Sequence, residues 1–123
     1  MKQIIHGSIV LSKRLRQHPV WSREAMSYGQ ALVDLLLLAN DKARRVTING
    51  ETFELKRGQL AWSKRRLESE WNRSRNWVDR FLRWCNDESM IVVDSTNRRT
   101  IITIINYDVY QIAPEQTEGS TEV

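Results

Sequence analysis

Side chains that donate hydrogen bonds cluster between residues 73 and 83 of the chain. They are Arg73, Ser74, Arg75, Asn76, Arg80 and Arg83. Arginine and asparagine match the edges of guanine and adenine, and arginine and serine also donate to phosphate oxygens. At about 100° per residue, the side chains at 76, 79, 80, 83 and 86 share one side of a helix. The spacing predicts a helix face suited to a phosphate-bearing polymer.

The opposite side of this predicted helix is apolar. Its side chains fill an arc about 160° wide at helical spacing. They are Trp77, Val78, Phe81, Leu82, Trp84 and Cys85. We expect this arc to pack on the core and to leave the polar arc in solvent. The alternative for the polar arc is an ordinary solvated surface, in which Asp79 pairs with Arg75 or Arg83.

Two short helices joined by a turn must position these side chains. Ser63 suits the N-cap of the first helix, Lys64 to Trp71, and Ser74 suits the N-cap of the second, Arg75 to about Glu88. The polar pair Asn72-Arg73 interrupts the apolar pattern between the two helices. This arrangement predicts a helix-turn-helix.

A β-hairpin is predicted directly after the helix pair. β-branched residues dominate Met90 to Asp94 and Thr100 to Ile105, and the polar segment between these runs ends in Asn97-Arg98-Arg99. Such runs on either side of a polar turn are typical of paired strands. Two helices followed by a hairpin outline a winged helix-turn-helix, which is an arrangement that binds duplex DNA.

The motif gives each donor a predicted role. The N-terminal part of the second helix enters the major groove, while the first helix crosses the phosphate backbone. The predicted base contacts are Arg75, Asn76 and Arg80. The predicted phosphate contacts are Lys64, Arg65, Arg66, Arg73, Ser74 and Arg83. Arg98 and Arg99 at the hairpin tip either contact a minor groove or flanking phosphates, or serve only solubility.

An apolar helix is predicted near the middle of the chain. The run from Ala31 to Ala39 repeats at helical spacing, with Ser22 or Ser27 as its N-cap and its end at about Asn40. Apolar side chains surround this helix almost completely. It is therefore either central to the core or part of a subunit contact.

A second hairpin is predicted between this helix and the helix pair. Asn49-Gly50 lies between Val46 to Ile48 and Thr52 to Leu55, and this dipeptide supplies the positive φ angles of a type I′ turn. Ile4 to Leu11 is either a first strand or an extended lead-in. The predicted fold is thus α+β: a winged helix-turn-helix with an additional β-hairpin and a disordered acidic C-terminal tail.

Charge is unevenly distributed along the sequence. The 123 residues carry a net charge of +4, yet residues 56–83 hold nine basic residues against three acidic ones. From Gln111 onwards there are three glutamates and no lysine or arginine. We predict one DNA-binding domain, residues 1–111, with a basic surface that attracts phosphates, and a disordered tail at 112–123.

The sequence offers little support for catalysis or for a cofactor. His6, His18 and Cys85 lie far apart and suggest no metal site, and neither a Gly-rich phosphate loop nor a nucleophile motif is visible. We expect no enzymatic activity and no cofactor. The lone cysteine, with neither a signal peptide nor an apolar run of about 20 residues, predicts an intracellular protein outside the membrane. Together with the predicted DNA binding, the expected location is cytoplasmic and nucleoid-associated.

Several short segments recur in the same order in a known protein family. They are Pro19-Val20-Trp21, Leu35 to Asn40, Lys56 to Leu60, Ser63, Val78 to Leu82, Met90-Ile91, Ile101 to Ile104 and Asn106 to Gln111. The pattern resembles the N-terminal winged-helix domain of bacteriophage and prophage replication proteins, the replisome organisers related to the primosomal protein DnaD. The resemblance implies binding to origin DNA or self-association. In that family a C-terminal domain recruits a helicase or its loader, whereas this chain continues past Gln111 only with an acidic segment.

The leading hypothesis is a sequence-directed duplex-DNA-binding protein of a phage or mobile element that acts in the initiation of DNA replication. One alternative is a transcriptional regulator of the winged-helix type. Another is a protein-interaction or oligomerisation adaptor of the primosome. The expected partners are double-stranded DNA, a second copy of the chain in a homodimer or higher oligomer, and a replication helicase or its loader.

Overall fold

The computed structural model describes residues 7–96 and 99–111. Within these ranges helices and antiparallel strands alternate along the chain, and the fold is α+β. Predictions for Ile4 to His6, Asn97, Arg98 and the tail at 112–123 lie outside the described residues. Residues 7–11 form neither helix nor strand. The prediction of a first strand is therefore wrong for these residues, and the other alternative, a lead-in segment, remains.

Helices dominate the first part of the described chain. They are a 3-10 helix (Lys13–Gln17), α1 (Pro19–Ser22) and α2 (Tyr28–Leu38). Of the two predicted caps, Ser27 is the N-cap of α2, and its side chain accepts a hydrogen bond from the backbone N–H of Gln30 at 3.2 Å. Ser22 instead ends α1. In residues 7–96 and 99–111 no helix has the length and apolarity needed to cross a membrane.

The first predicted hairpin is present. β1 (Arg44–Ile48) and β2 (Glu51–Leu55) form a two-stranded antiparallel sheet. Asn49 and Gly50 between them have φ angles of 52° and 77°, which confirms the prediction of a turn with two positive φ values.

A three-stranded antiparallel sheet contains the second predicted hairpin. Its spatial order is β3 (Gln59–Ala61), β5 (Thr100–Ile104) and β4 (Ile91–Ser95). The β4–β5 pairing was predicted, and its ends differ from the prediction by one residue. β3 was not predicted, because three residues are too few to show an alternating pattern. It forms because β5 offers a free edge, on which Leu60 lies opposite Ile102.

Both helices of the predicted pair are present. α3 (Lys64–Trp71) and α4 (Arg75–Asp87) are joined by three residues. Together with α2 they enclose the core, in which Leu35, Trp71, Phe81 and Ile102 are fully buried. The Trp71 and Phe81 rings meet edge to face with their centroids 5.4 Å apart. The central helix α2 thus takes the core position, one of its two predicted placements.

The apolar arc of α4 packs largely as expected. Val78, Phe81, Leu82 and Cys85 are buried, and Trp77 is half-buried against the core. Trp84 departs from the prediction, because 46% of it remains exposed. It lies at the edge of the arc, where the Tyr28 ring covers one side with the centroids 5.7 Å apart.

A buried carboxylate ties the N-terminal helices to α3. Asp34 on α2 has no exposed surface, and it accepts hydrogen bonds from the Arg16 Nε at 2.5 Å and from the Trp71 indole N–H at 2.8 Å. The Arg16 guanidinium also lies over the Trp62 ring at 5.1 Å. Because a buried charge is tolerated only when it is paired, Asp34 fixes the positions of both of its donors.

Two segments that are distant in sequence contact each other next to the start of β3. The Arg57 guanidinium pairs with Asp108 at 2.7 Å, lies 5.0 Å from the centre of the Tyr107 ring and donates to the Gln111 carbonyl at 3.2 Å. Tyr107 begins the last described helix, α5 (Tyr107–Tyr110). Gly58 has a φ of 83°, and a Cβ there would lie 2.9 Å from the Tyr107 Cβ. The Lys-Arg-Gly-Gln and Asn-Tyr-Asp segments therefore form one packed unit.

Arg16→Ala tests whether the buried pair organises the fold. We expect a loss of about 3–5 kcal/mol in the free energy of unfolding, because Asp34 would remain buried without its cationic partner. Arg14→Ala is the matched control, since Arg14 lies exposed in the same 3-10 helix, and it should cost less than about 0.5 kcal/mol. Urea unfolding followed by tryptophan fluorescence measures both. Equal losses in the two variants would contradict the assigned role of Asp34.

Candidate nucleic-acid interface

The turn between α3 and α4 sets their relative orientation. Asn72 ends α3 in the left-handed conformation with a φ of 52°, a position that asparagine tolerates better than most residues. Ser74 then caps α4, and its side chain accepts a hydrogen bond from the backbone N–H of Trp77 at 3.2 Å. The Ser74 hydroxyl still has its own proton to donate, so the cap is compatible with the predicted phosphate contact.

The outer face of the helix pair carries donors without internal partners. Among the predicted contacts on α3 and α4, the exposed side chains that make no hydrogen bond or ion pair with the described residues are Arg65, Asn76, Arg80 and Arg83. Three of them lie on α4, on the side opposite its buried arc. The structure therefore leaves these predicted contacts available to a ligand.

Two other predicted cationic contacts are held near two carboxylates. Lys64 pairs with Asp79 at 3.1 Å, and Arg75 pairs with the same carboxylate at 3.4 Å. Arg75 also lies 3.7 Å from Glu68. The alternative interpretation of the polar arc is thus correct for the Arg75 pair, whereas Arg83 does not pair with Asp79.

Asp79 remains ionised in this setting. Partial burial acts to raise the pKa of its carboxyl, but the ion pairs with Lys64 and Arg75 outweigh burial and hold the pKa below its ordinary value. Beside this carboxylate lies a cleft of about 350 Å³. Its lining residues are Lys64, Asp79, Leu82, Arg83, Asn86 and Val93. The cleft therefore brings cations, an amide and a carboxylate together between α3, α4 and β4.

Arg66 is exposed yet positioned by an aromatic ring. Its guanidinium stacks on Trp62 with the central carbon 3.7 Å from the ring centroid. Stacking occupies one face of the guanidinium and leaves the in-plane N–H donors free. Arg66 is therefore a more rigid donor than an unsupported surface arginine.

Arg73 is committed to an internal contact. Its Nε donates to the Met26 carbonyl at 2.7 Å, and its guanidinium lies 4.8 Å from the centre of the Trp77 ring. This arginine links the turn to the segment before α2. Its predicted phosphate contact would have to use the remaining guanidinium N–H groups.

Arg99 likewise points to another part of the protein. Its guanidinium stacks on the Phe53 ring at 3.9 Å and forms an ion pair with Glu51, so it docks the second hairpin on the first. Arg98, the other predicted tip contact, lies outside the described residues. Neither contact of Arg99 was apparent in the sequence, because its partners are almost 50 residues away.

Two features were missed by sequence reasoning. Glu68 approaches Arg75 across the turn, and no periodic spacing relates residues on different helices. A second basic cleft of about 630 Å³ lies between the 3-10 helix and the segment before β1, and its lining includes Lys13, Lys42 and Arg44. These cations are distant in sequence, and only the fold brings them together.

The described residues contain no group of three or more His, Cys, Asp or Glu side chains placed to hold a metal ion. Cys85 is fully buried, and this burial raises the pKa of its thiol to about 11. The thiol is therefore protonated near neutral pH and packs as a small apolar group.

Comparisons with family models, curated proteins and solved structures found no match to this chain. The resemblance to phage replication proteins consequently stays a prediction.

Replacing Arg99 tests its role in docking the two hairpins. Arg99→Met keeps an unbranched side chain but removes the charge, and we expect a loss of about 1 kcal/mol in the free energy of unfolding as the contacts with Phe53 and Glu51 disappear. A double-mutant cycle with Phe53→Leu isolates the ring contact. Coupling indistinguishable from zero would show that the stacking contributes no stability.

Proposed function

We propose that this chain binds duplex DNA as a winged helix-turn-helix, with α3 and α4 as the helix pair and the β4–β5 hairpin as the wing. The order of the elements and the three-residue turn support this proposal. In such an arrangement α4 is the recognition helix, and its N-terminal half enters the major groove.

The observation that carries the proposal is the division of α4 into two faces. One face is buried and fixes the helix, while Asn76, Arg80 and Arg83 on the other are exposed and unpaired within the described part of the chain. An arginine without an internal ion pair keeps all of its N–H donors for phosphate oxygens or a guanine edge. A recognition helix needs this combination of rigid support and free donors.

The first turn of α3 supports the same surface. Lys64, Arg65 and Arg66 are cations at a helix N-terminus, where the helix dipole disfavours positive charge by a few tenths of a kcal/mol. A phosphate beside this turn would reverse the sign of that effect. Trp62 already holds Arg66 in the free protein, so Arg66 loses less conformational entropy when it contacts a phosphate.

The proposed biological role rests on the family resemblance. We propose that the protein acts in the initiation of replication of a phage or mobile element, with an oligomer of the chain and a helicase or its loader as further partners. Two of the segments that carry the resemblance contact each other through Arg57, Gly58, Tyr107 and Asp108. Loss of element replication on deletion supports this role, whereas derepression of a promoter with unchanged replication supports a transcriptional regulator.

Arg80→Ala combined with Arg83→Ala tests DNA binding. Fluorescence anisotropy with labelled duplexes should show an affinity about 10- to 100-fold lower than that of the wild type, because two cationic donors are lost. The slope of log K against log salt should also become shallower by about one to two.

The matched control removes two arginines elsewhere. Arg14→Ala combined with Arg23→Ala changes the net charge equally but leaves α3 and α4 intact, and both residues are exposed. Its affinity should stay within about threefold of the wild type, since only long-range charge is lost. Equal losses in the two double variants would contradict a site on α4, and no salt-sensitive binding of the wild type to any duplex would overturn the proposed function.

Exposed apolar side chains favour an interaction adaptor as the second candidate. Trp84 is 46% exposed and Val92 is 49% exposed. Size-exclusion chromatography with light scattering separates the candidates. An oligomer that forms without DNA binding, and that Arg80→Ala with Arg83→Ala leaves unchanged, favours the adaptor.

A further inference from the structure

A carboxylate lies among the cations of the proposed DNA-binding surface. Asp79 is on α4, one helical turn after Arg75, and its two oxygens lie 3.1 Å from the Lys64 Nζ and 3.4 Å from the Arg75 Nε. About a third of the Asp79 side chain is exposed, with a relative accessibility of 32%. The carboxylate therefore faces the same cleft that Lys64 and Arg83 line.

These ion pairs neutralise the part of the surface that holds Arg75, a predicted base contact, and Lys64, a predicted phosphate contact. Lys64 and Arg75 are balanced by Asp79 and Glu68, so the cluster of four carries no net charge. By contrast, Arg80 and Arg83 further along α4 have no carboxylate partner among the described residues. The surface is thus divided into a neutralised N-terminal end and a free cationic segment.

The carboxylate opposes a phosphate that approaches this end. The phosphate must either draw Lys64 and Arg75 away from Asp79 or accept a fixed negative charge nearby. At separations of about 6–8 Å in a mostly aqueous setting, each such repulsion weakens binding by roughly threefold. A contact with a matching base edge is directional and compensates for this loss, whereas a contact with phosphate alone does not.

We propose that Asp79 suppresses sequence-independent binding by holding Lys64 and Arg75, so that both are released only on a duplex whose bases satisfy Arg75. Asp79 is then a positioning residue that determines specificity. This inference rests on the proposed duplex-DNA binding of α4. It predicts that removing the negative charge raises affinity for random DNA more than affinity for the preferred site.

Asp79→Asn tests the inference, because the amide keeps the size of the side chain and loses its charge. Binding to a random-sequence duplex should tighten by about three- to tenfold in fluorescence anisotropy. The ratio between the affinities for a selected site and for random DNA should fall by a similar factor. Selection from a randomised duplex library on the wild-type protein supplies the site.

Glu24→Gln is the matched control. Glu24 lies exposed between α1 and α2, outside the helix pair and the wing, and makes no ion pair within the described residues, so the variant has the same net charge as Asp79→Asn. Its affinity for random DNA should change by less than about twofold. If both variants gain equally, or if Asp79→Asn binds no more tightly than the wild type, the inference is overturned while the proposed function stands.

Glu68→Gln provides a second test that does not depend on the stability of Asp79→Asn. It loosens only Arg75, whose distance from Glu68 is 3.7 Å, and should give a smaller gain in random-DNA affinity of about twofold. Thermal unfolding establishes that each variant is folded at the assay temperature. If neither the wild type nor any of these variants binds duplex DNA at low salt, the proposed function and this inference both fail.

Discussion

The buried Asp34 carboxylate is the constraint on which the arrangement of the helices depends. A charge without exposed surface is tolerated only with full pairing, and here Arg16 and the Trp71 indole supply it. These donors come from the N-terminal 3-10 helix and from the last residue of α3. Because Trp71 also packs against Phe81, the position of α3 is transmitted to α4. The outer face of α4 is therefore oriented by a polar contact in the interior.

A second internal contact explains why two short sequence segments stand out. Gly58 has a positive φ, and a Cβ there would meet Tyr107, while Arg57 pairs with Asp108 next to it. Each segment thus specifies the other: the first requires glycine for space, and the second supplies the ring and the carboxylate. The family resemblance relied on both segments. Their contact gives a physical reason why the two segments occur in one chain. This reason does not depend on the family's role.

Local patterns predicted much of the fold, and the failures have identifiable causes. Ser63, Ser74 and Asn49-Gly50 act within a few residues, so the helix starts and the first hairpin followed from sequence. β3 and the exposure of Trp84 depend on neighbours that only the tertiary structure provides. The α+β class was predicted for the same local reasons as the helices and hairpins. How the elements sit together depends on contacts such as Asp34 with Arg16, for which helical and strand periodicity gave no signal.

The candidate site shows why a count of cations is a poor guide to a binding surface. Sequence analysis named arginines 73, 75, 80 and 99 as candidate donors to DNA, yet their surroundings differ. Arg73 and Arg99 hold parts of the fold together, and Arg75 is paired with carboxylates. Arg80 alone of these four is both exposed and unpaired within the described ranges. A donor already engaged in the free protein must exchange one partner for another, so its net contribution to binding is smaller than its charge suggests. The effective surface is consequently narrower than the basic segment from which it was predicted.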